Sequence, residues 1–522
     1  MADDNSAPSV PTWPRHILAA DVLNGRTDDD VNVEIVEALL AYYPNQLFWY
    51  NDTLVCIPKR IARDVTAPFI HVSRAYMDLL LNPCATIKKD VRPPKFESPS
   101  LRLCDELLAG AEGWAPHLRG VVKGPYLAPD GSRVVTVPGY DDETGYYNRC
   151  FVEIPDVTLE PLTGDDRSDA ACNGHALMSE FFDYLYGWFP LGDVSSMAHT
   201  LGLFLLPLLR PAISGPTPAH LIVAPEGNLG KTDLAQMALF TGFGEVAKAI
   251  PVTTDPYQLG SLLADQPSYL LFDNQTTGSV LGNAELDNIL TSYRWGGRLV
   301  RQGTSSTVPV RAVWVFTGNH IEMTNEMASR SVEIRLSTAE RDTTMKRWKA
   351  PDAVKPLAWI AQNRGLVLGV LVAMIRRWIA LGSPRHEQRL GKYVEWSDMV
   401  GGVISTVDAL IGDDQFSKGW LLEETRPVGV DLHGWRVLFD WWTTDGLCGW
   451  LATSAVMDTL DGLDALTRVV TTTEARSKHA LGRLLAKHAA DRTELAPGWT
   501  LECSRDKHKK HNLYRPARSS VL

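Results

Sequence analysis

Apolar positions change their period several times along the 522-residue chain, and each change marks an element. Around Pro129-Asp130-Gly131, the stretches Leu118–Leu127 and Ser132–Val137 alternate apolar with other residues, which is hairpin chemistry. From Ala170 to Leu209 the spacing becomes helical. Between His220 and Leu336 it breaks into short β-type runs (His220–Ala224, Tyr269–Phe272, Ala312–Phe316, Ser331–Leu336) separated by helical or loop stretches, the signature of a parallel α/β sheet. Helical spacing returns over Ala353–Leu381 and Ser397–Leu410, with Gly382-Ser383-Pro384 as the break. Helices at Thr453–Met457 and Ser477–His488, followed by a β-type end at Trp499–Tyr514, suit a winged-helix module.

These elements predict four regions: an N-terminal α+β accessory domain (1–165), an α/β P-loop core with a parallel sheet and helical lead-in (166–345), a helical lid (346–420) and a winged-helix-like region (421–522). The acidic, proline-bearing first dozen residues read as a disordered lead-in, and Glu160–Arg167 as a linker.

Composition narrows the class. Hydrophobic residues at 45% and charged residues at 22% suit a folded globular protein. The apolar stretch Leu201–Leu209, broken by Pro207 and bounded by Arg210 and Pro211, falls short of the ~20 residues of a membrane span. With no signal-like start, the expectation is a protein of the cytoplasm, in a bacterial host, with no membrane partner. Seven scattered cysteines form neither a metal-ligand cluster nor a disulfide framework. The net charge of -11 is unevenly spread, because Arg476–Arg518 carries eleven Lys/Arg against four Asp/Glu. A basic end on an acidic body fits nucleic-acid contact there.

The chemistry concentrates after the first strand of the sheet. His220-Leu221-Ile222-Val223-Ala224 leads into Pro225-Glu226-Gly227-Asn228-Leu229-Gly230-Lys231-Thr232 and then Asp233: strand, tight loop, helix. In a P-loop the backbone N–H groups from Gly227 to Asp233 surround phosphates, Lys231 neutralises their charge and Thr232 holds Mg²⁺. Pro225 stands where the usual pattern has its first glycine. Tyr269-Leu270-Leu271-Phe272 ends in Asp273, an acid placed to hold a Mg²⁺-bound water. Trp314-Val315-Phe316-Thr317-Gly318 ends in Asn319, an amide placed to orient an attacking water. The three motifs in this order point to ATP and Mg²⁺ as cofactors.

With these motifs the chain resembles the superfamily 3 type of AAA+ helicase, in the phage and plasmid branch related to poxvirus-type primase-helicases. Arg210-Pro211-Ala212-Ile213 with Gly215-Pro216-Thr217-Pro218 ahead of the P-loop, Leu118–Val122 with Pro138–Asp141, and Trp396–Val403 carry it beyond the core. The resemblance implies a ring-shaped, ATP-dependent DNA translocase, a homohexamer, that serves replication of a phage or mobile element with a primase or polymerase as further partner. It also implies a hairpin projecting into a central channel over Leu290–Arg311, with Arg298, Arg301 and Arg311 as its DNA contacts. Ala328-Ser329-Arg330 resembles the arginine-finger region, with Arg330 reaching a neighbouring subunit's nucleotide and Arg335 structural. Asn274 stands where many relatives have a glutamate, so the general base is left between Glu226 and Glu285. No primase site is evident in residues 1–160. Lys507, Lys509 and Lys510 are candidate DNA contacts of the basic end, whereas Trp435, Trp441, Trp442 and Trp450 read as core. The rivals are a replication initiator that binds an origin and a non-motor signalling NTPase.

Overall fold

The computed structural model describes residues 15–19, 25, 27–58, 69–89, 95–161, 169–225, 227–251, 256–264, 266–275, 280–282, 284–298, 305–319, 321–337, 354–411, 416, 419–420, 432–444, 449–462, 481–483, 485–486, 489, 499–505 and 512–518. The chain divides into two compact units, one formed by Met1–Pro125 with Val135–Phe151, the other by Tyr126–Val134 with Val152–Leu522. The lead-in 1–14 lies outside the described residues.

In the first unit, helix Asp28–Tyr42 starts where Thr27 and Asp30 form a reciprocal capping box. It packs with Arg74–Leu81 and Leu101–Ala109 around a core of Ile35, Leu39, Met77, Leu81 and Leu107. Strand Arg15–Leu18 pairs parallel with Ala85–Lys89, which pairs antiparallel with Lys95–Glu97. A hairpin of Leu47–Tyr50 and Thr53–Cys56 turns through Asn51 and Asp52, both left-handed (φ 46° and 61°), the backbone that matches strand twist in two-residue turns.

The hairpin expected around Pro129-Asp130-Gly131 is present but shorter. Its turn closes through the Ala128 N–H donating to the Arg133 carbonyl (2.8 Å), with Gly131 at φ 75°. Gly120–Val122, anticipated as part of that hairpin, pairs in parallel with Tyr146–Asn148 instead. Pro125 explains the break, because it has no N–H to give a continuing ladder.

The second unit is built on five parallel strands in the order Ala249–Ile250, Tyr269–Gln275, Val313–Asn319, Ala219–Ala224, Ser331–Arg335. Four of them are the runs anticipated from sequence; Ala249–Ile250 is too short to announce itself. Strand Ala219–Ala224 lies fourth from the Ala249–Ile250 edge, flanked by strands that come later in the chain. The chain leaves it towards Ala249–Ile250, and the later connection from Val313–Asn319 passes to Ser331–Arg335 on its other side, a reversal that opens a crevice at the carboxyl ends of an α/β sheet.

The helical stretch expected over Ala170–Leu209 is two helices, Asp169–Trp188 and Val194–Leu209, and the second runs through Pro207 rather than breaking there. A proline interrupts only one turn's bonding, and this ring is packed: a Cβ on Gly242 would lie 2.4 Å from Pro207 Cβ. Gly242 belongs to helix Lys231–Phe243, so the lead-in helix and the P-loop helix approach where only glycine fits. Helix Pro356–Ala380 packs on the other flank. Its Arg364 Nε donates to the carbonyls of Phe240 (3.2 Å) and Thr241 (3.0 Å), a cation on the C-terminus of the P-loop helix.

Among the described residues, Pro356–Ala380, not Leu201–Leu209, is the helix whose length and composition would let it cross a membrane; 67% of its apolar window is buried inside the protein. Gly382 and Ser383 end it in left-handed conformations (φ 80° and 54°).

The last segments supply helices Leu432–Thr444 and Thr453–Gly462 and a three-stranded antiparallel sheet of Leu451–Ala452, Asn512–Arg518 and Trp499–Arg505. Leu438, Phe439, Trp442, Leu460, Leu501 and Tyr514 make a separate small core there. Trp450 departs from its assignment to the core, being 38% exposed with the Arg515 guanidinium over its ring at 4.7 Å. Preceding the short strand rather than lying within it, its ring stacks on a cation at the sheet's surface.

Two histidines are sealed into the larger unit. His220 on the P-loop strand has no hydrogen-bond partner at either ring nitrogen, and His199 has one, the Glu333 carbonyl at 3.0 Å. Burial pushes their pKa values down from 6.5 to about 3 and about 4. The folded chain thus refuses protons that the unfolded chain accepts below 6.5. Their contribution should be fully present above that pH and decline towards the folded values, by up to about 1.4 kcal/mol per pH unit for each histidine. Urea unfolding at a series of pH values should show a shallower acid loss for His220→Leu than for the unaltered chain; parallel curves would refute the assignment.

Candidate functional site

Strand Ala219–Ala224 delivers the chain to Pro225 and a loop in which Asn228 (φ 61°) and Gly230 (φ 89°) are both left-handed. Non-left-handed residues between such positions turn successive N–H groups towards one side, which makes an anion-binding concavity. Leu229 is buried and anchors the loop, while Gly227 and Asn228 are exposed. The helix beginning at Lys231 has no side-chain cap, since its capping residue is Gly230. Its first turn thus presents the positive end of the helix dipole at the loop.

Side chains from two strands and from the helix that follows a third converge here. Lys231 Nζ donates to Asn319 Oδ1 at 2.6 Å, so the residue after the P-loop strand touches the end of its neighbour. Thr232 Oγ1 donates to Asp273 Oδ1 at 2.9 Å. Phe272 pairs with Phe316, and one residue farther Asp273 and Thr317 stand side by side, Thr317 Oγ1 donating to the same Asp273 oxygen. Burial lowers the Lys231 pKa, and the Asp273 carboxylate opposes that shift. Asp233, in the first helical turn, has its carboxyl raised by burial, opposed by Lys355.

Lys231, Thr232, Asp273 and Asn319, chosen from separate motifs, are thereby brought together. Thr317 was not singled out from the sequence. The available signal was strand alternation, which puts Thr317 and Asn319 on one face two residues apart. The donor set is hydroxyl and carboxylate oxygen, which suits a hard divalent cation such as Mg²⁺. Among the described residues no cluster of three or more His, Cys, Asp or Glu is placed to hold a metal.

Other candidates lie elsewhere. Arg330 precedes strand Ser331–Arg335 and is mostly buried, its Nη1 3.7 Å from Asp287 Oδ1, while its Nε and Nη1 make no hydrogen bond. Burial raises the Asp287 carboxyl pKa, and Arg330 opposes the rise. Arg335 grips Glu333 through two bonds of 3.1 and 3.0 Å, a structural pairing. Glu285 accepts from Trp295 Nε1 at 2.8 Å, which engages one of its oxygens with the hairpin. Glu226 lies outside the described residues, as does the Asn274 side chain.

The hairpin anticipated over Leu290–Arg311 forms from antiparallel strands Arg294–Arg298 and Ser305–Pro309. Arg298 ends its first strand opposite Ser305, its side chain outside the described residues; Arg301 lies outside them altogether, and Arg311 is exposed after the second strand. The hairpin's base is held from below: Arg210 Nη2 donates to the Val310 carbonyl at 2.8 Å. Lys507, Lys509 and Lys510 fall outside the described residues, in the connection between strands Trp499–Arg505 and Asn512–Arg518.

No family model matches the chain, and no curated protein matches it. Among solved structures it is similar to the A form apo structure of the NrS-1 C-terminal region, at 10% identity and a TM-score of 0.39, over 93% of this chain and 98% of that one. It is also similar to the JCV helicase, at 15% identity and a TM-score of 0.22, over 47% of this chain and 78% of that one. Likenesses of this strength carry no functional argument, and the side-chain geometry must bear it. What fold and site define is a mixed α/β protein with a parallel sheet and a polar cluster at the carboxyl ends of three adjacent strands.

The left-handed capping residue yields a direct expectation for this loop. Gly230→Ala should destabilise the protein by about 1–2 kcal/mol, the cost of holding a Cβ-bearing residue left-handed. Urea unfolding checks it; unchanged stability would mean that the loop accommodates a right-handed backbone.

Proposed function

We propose that this chain is an ATP- and Mg²⁺-dependent translocase on DNA, working as a ring, in replication of a phage or mobile element. The observation that carries the reading is the joint contact of Lys231 with Asn319 and of Thr232 with Asp273 at the carboxyl ends of adjacent strands. The loop N–H groups and Lys231 would bind the β- and γ-phosphates, with Gly227, Asn228, Leu229, Gly230 and Asp233 forming the rest of the cradle. Thr232 and Asp273 would hold Mg²⁺, which supplies charge neutralisation at the phosphates. Asn319, released from Lys231 when phosphate takes up the ammonium, would orient the attacking water, with Thr317 holding the Asp273 carboxylate in place.

The DNA half of the reading is supported by the hairpin of Arg294–Arg298 and Ser305–Pro309, where Arg298, Arg301 and Arg311 would contact DNA, and by the basic end, where Lys507, Lys509 and Lys510 would do so from the connection between strands Trp499–Arg505 and Asn512–Arg518. Arg330 is the candidate for a cation reaching a neighbouring subunit; in the single chain it rests against Asp287 at a distance too long for a strong ion pair. Its Nε and Nη1 are buried without a hydrogen-bond partner, so the guanidinium would have to turn out of this position to reach a neighbouring subunit.

Lys231→Ala should fold normally and hydrolyse ATP at below about 1% of the unaltered rate, because a charged donor to the reacting phosphate is removed. Circular dichroism and a phosphate-release assay measure both. Near-normal turnover would place the nucleotide elsewhere. Strand displacement from a forked substrate then tests the translocase against an origin-binding initiator or a signalling NTPase.

If Arg330 acts across subunits, mixing Arg330→Ala chains with Lys231→Ala chains should regain hydrolysis at mixed interfaces, each of which can combine an intact loop with an intact arginine. Verified hetero-oligomers with no recovery would assign Arg330 to the Asp287 pairing alone.

A further inference from the structure

Among the described residues, the sheet of Arg15–Leu18, Ala85–Lys89 and Lys95–Glu97 has its helices on one face. Ile17, Ala85 and Ile87 point into the core shared with Ile35, Leu39 and Leu81. By alternation, the opposite face carries His16, Leu18, Thr86, Lys88 and Phe96, brought abreast by the pairings His16 with Thr86, Leu18 with Lys88 and Lys88 with Phe96. Phe96 and Leu18 are each 49% exposed, and His16 is exposed. The imidazole of His16 lies 4.5 Å from the Phe96 ring centroid and is oriented by Thr86, whose hydroxyl is 2.7 Å from Nδ1.

The charges on the three strands are sorted by face. Their one carboxylate, Glu97, shares the inward parity of Ile87 and is occupied by Lys89 (2.6 Å) and Lys95 (2.8 Å). Those two ammonium groups hold its carboxyl down at about 2. The outward face therefore combines rings and a lysine with no carboxylate from these strands.

We propose that this face binds single-stranded DNA, one base stacking on Phe96 beside His16, with Lys88 against the backbone phosphate. Base stacking on aromatics along a cationic surface is how proteins hold single strands without reading sequence, and sheet faces serve this role. A protein partner fits the face less well. Two exposed apolar side chains are far short of the roughly 1,000 Å² that a stable protein interface requires. The site lies in a different unit from the nucleotide cluster, so it extends the reading above and does not depend on Lys231.

The test uses full-length protein without nucleotide, in a Lys231→Ala background with Lys507, Lys509 and Lys510 changed to Gln, so that failure of the motor or of the basic end leaves the measurement intact. Fluorescence anisotropy with labelled oligo(dT) at several salt concentrations reads affinity. Phe96→Ala should weaken binding about fivefold to a hundredfold, the loss of one stacked base, and Phe96→Trp should restore it. Lys88→Gln should reduce the slope of log affinity against log salt by about 0.7. Thermal melts should be unchanged, Phe96 being half exposed; if Phe96→Ala melts early, Phe96→Leu keeps the apolar packing and removes only the ring. Unchanged affinity in both the Phe96 and Lys88 variants would overturn the proposal, and tighter binding of oligo(U) than of oligo(dT) would overturn its assignment to DNA.

Discussion

Asp273 Oδ1 accepts hydroxyl hydrogens from both Thr232 and Thr317, and much of the larger unit is arranged so that it can. The contact needs the end of strand Tyr269–Gln275 beside the end of Val313–Asn319, with the first turn of the P-loop helix over both. A parallel sheet supplies this geometry, since all its strands finish on the same side and crossover helices begin there. Because both hydroxyls go to one oxygen, the second carboxylate oxygen is left for another ligand, and a single substitution at Thr317 would loosen the acid without touching it.

Helix Lys231–Phe243 is held at its other end as well. Its C-terminus closes on Gly244 at φ 68°, where Arg364 crosses so near that a Cβ would sit 2.8 Å from the guanidinium. Arg364 belongs to the long apolar helix Pro356–Ala380, so that helix reaches the cluster at Lys231 and Asp273 through the axis of the helix it caps. The close pass of Pro207 against Gly242 fixes the opposite flank. A helix clamped in this way can transmit a displacement at Lys231 to both neighbours, because packed helices move as rigid bodies more readily than they deform.

A second linkage runs from the short helix Val394–Trp396 to the hairpin. Glu395 accepts from the Ser214 N–H (2.7 Å) and the Gly215 N–H (3.0 Å), and the Ser214 hydroxyl also donates to it. Arg210, just before that turn, donates to the Ile213 and Val310 carbonyls. The base of the hairpin and the turn entering the sheet thus share one small polar network, buried at Arg210 and open to solvent at Ser214. In the proposed motor this is where the hairpin would feel the core.

Much of the core was legible from the sequence because local rules decide it. A β-type apolar run ending in Asp273, another ending in Asn319, and a strand running through Gly230-Lys231-Thr232 into a helix are patterns of period and turn chemistry, which neighbouring residues fix. The turn at Pro129-Asp130-Gly131 is of the same kind. Tertiary structure decided what depends on which surfaces meet: that Pro207 continues its helix because Gly242 makes room, that Gly120–Val122 finds a partner beyond its expected hairpin, and that Trp450 stacks under Arg515 at the surface. Thr317 joined the site for the same reason. Its hydroxyl matters only once two strands distant in sequence lie in register, and register across crossovers is set by packing of the whole sheet, which no local window contains.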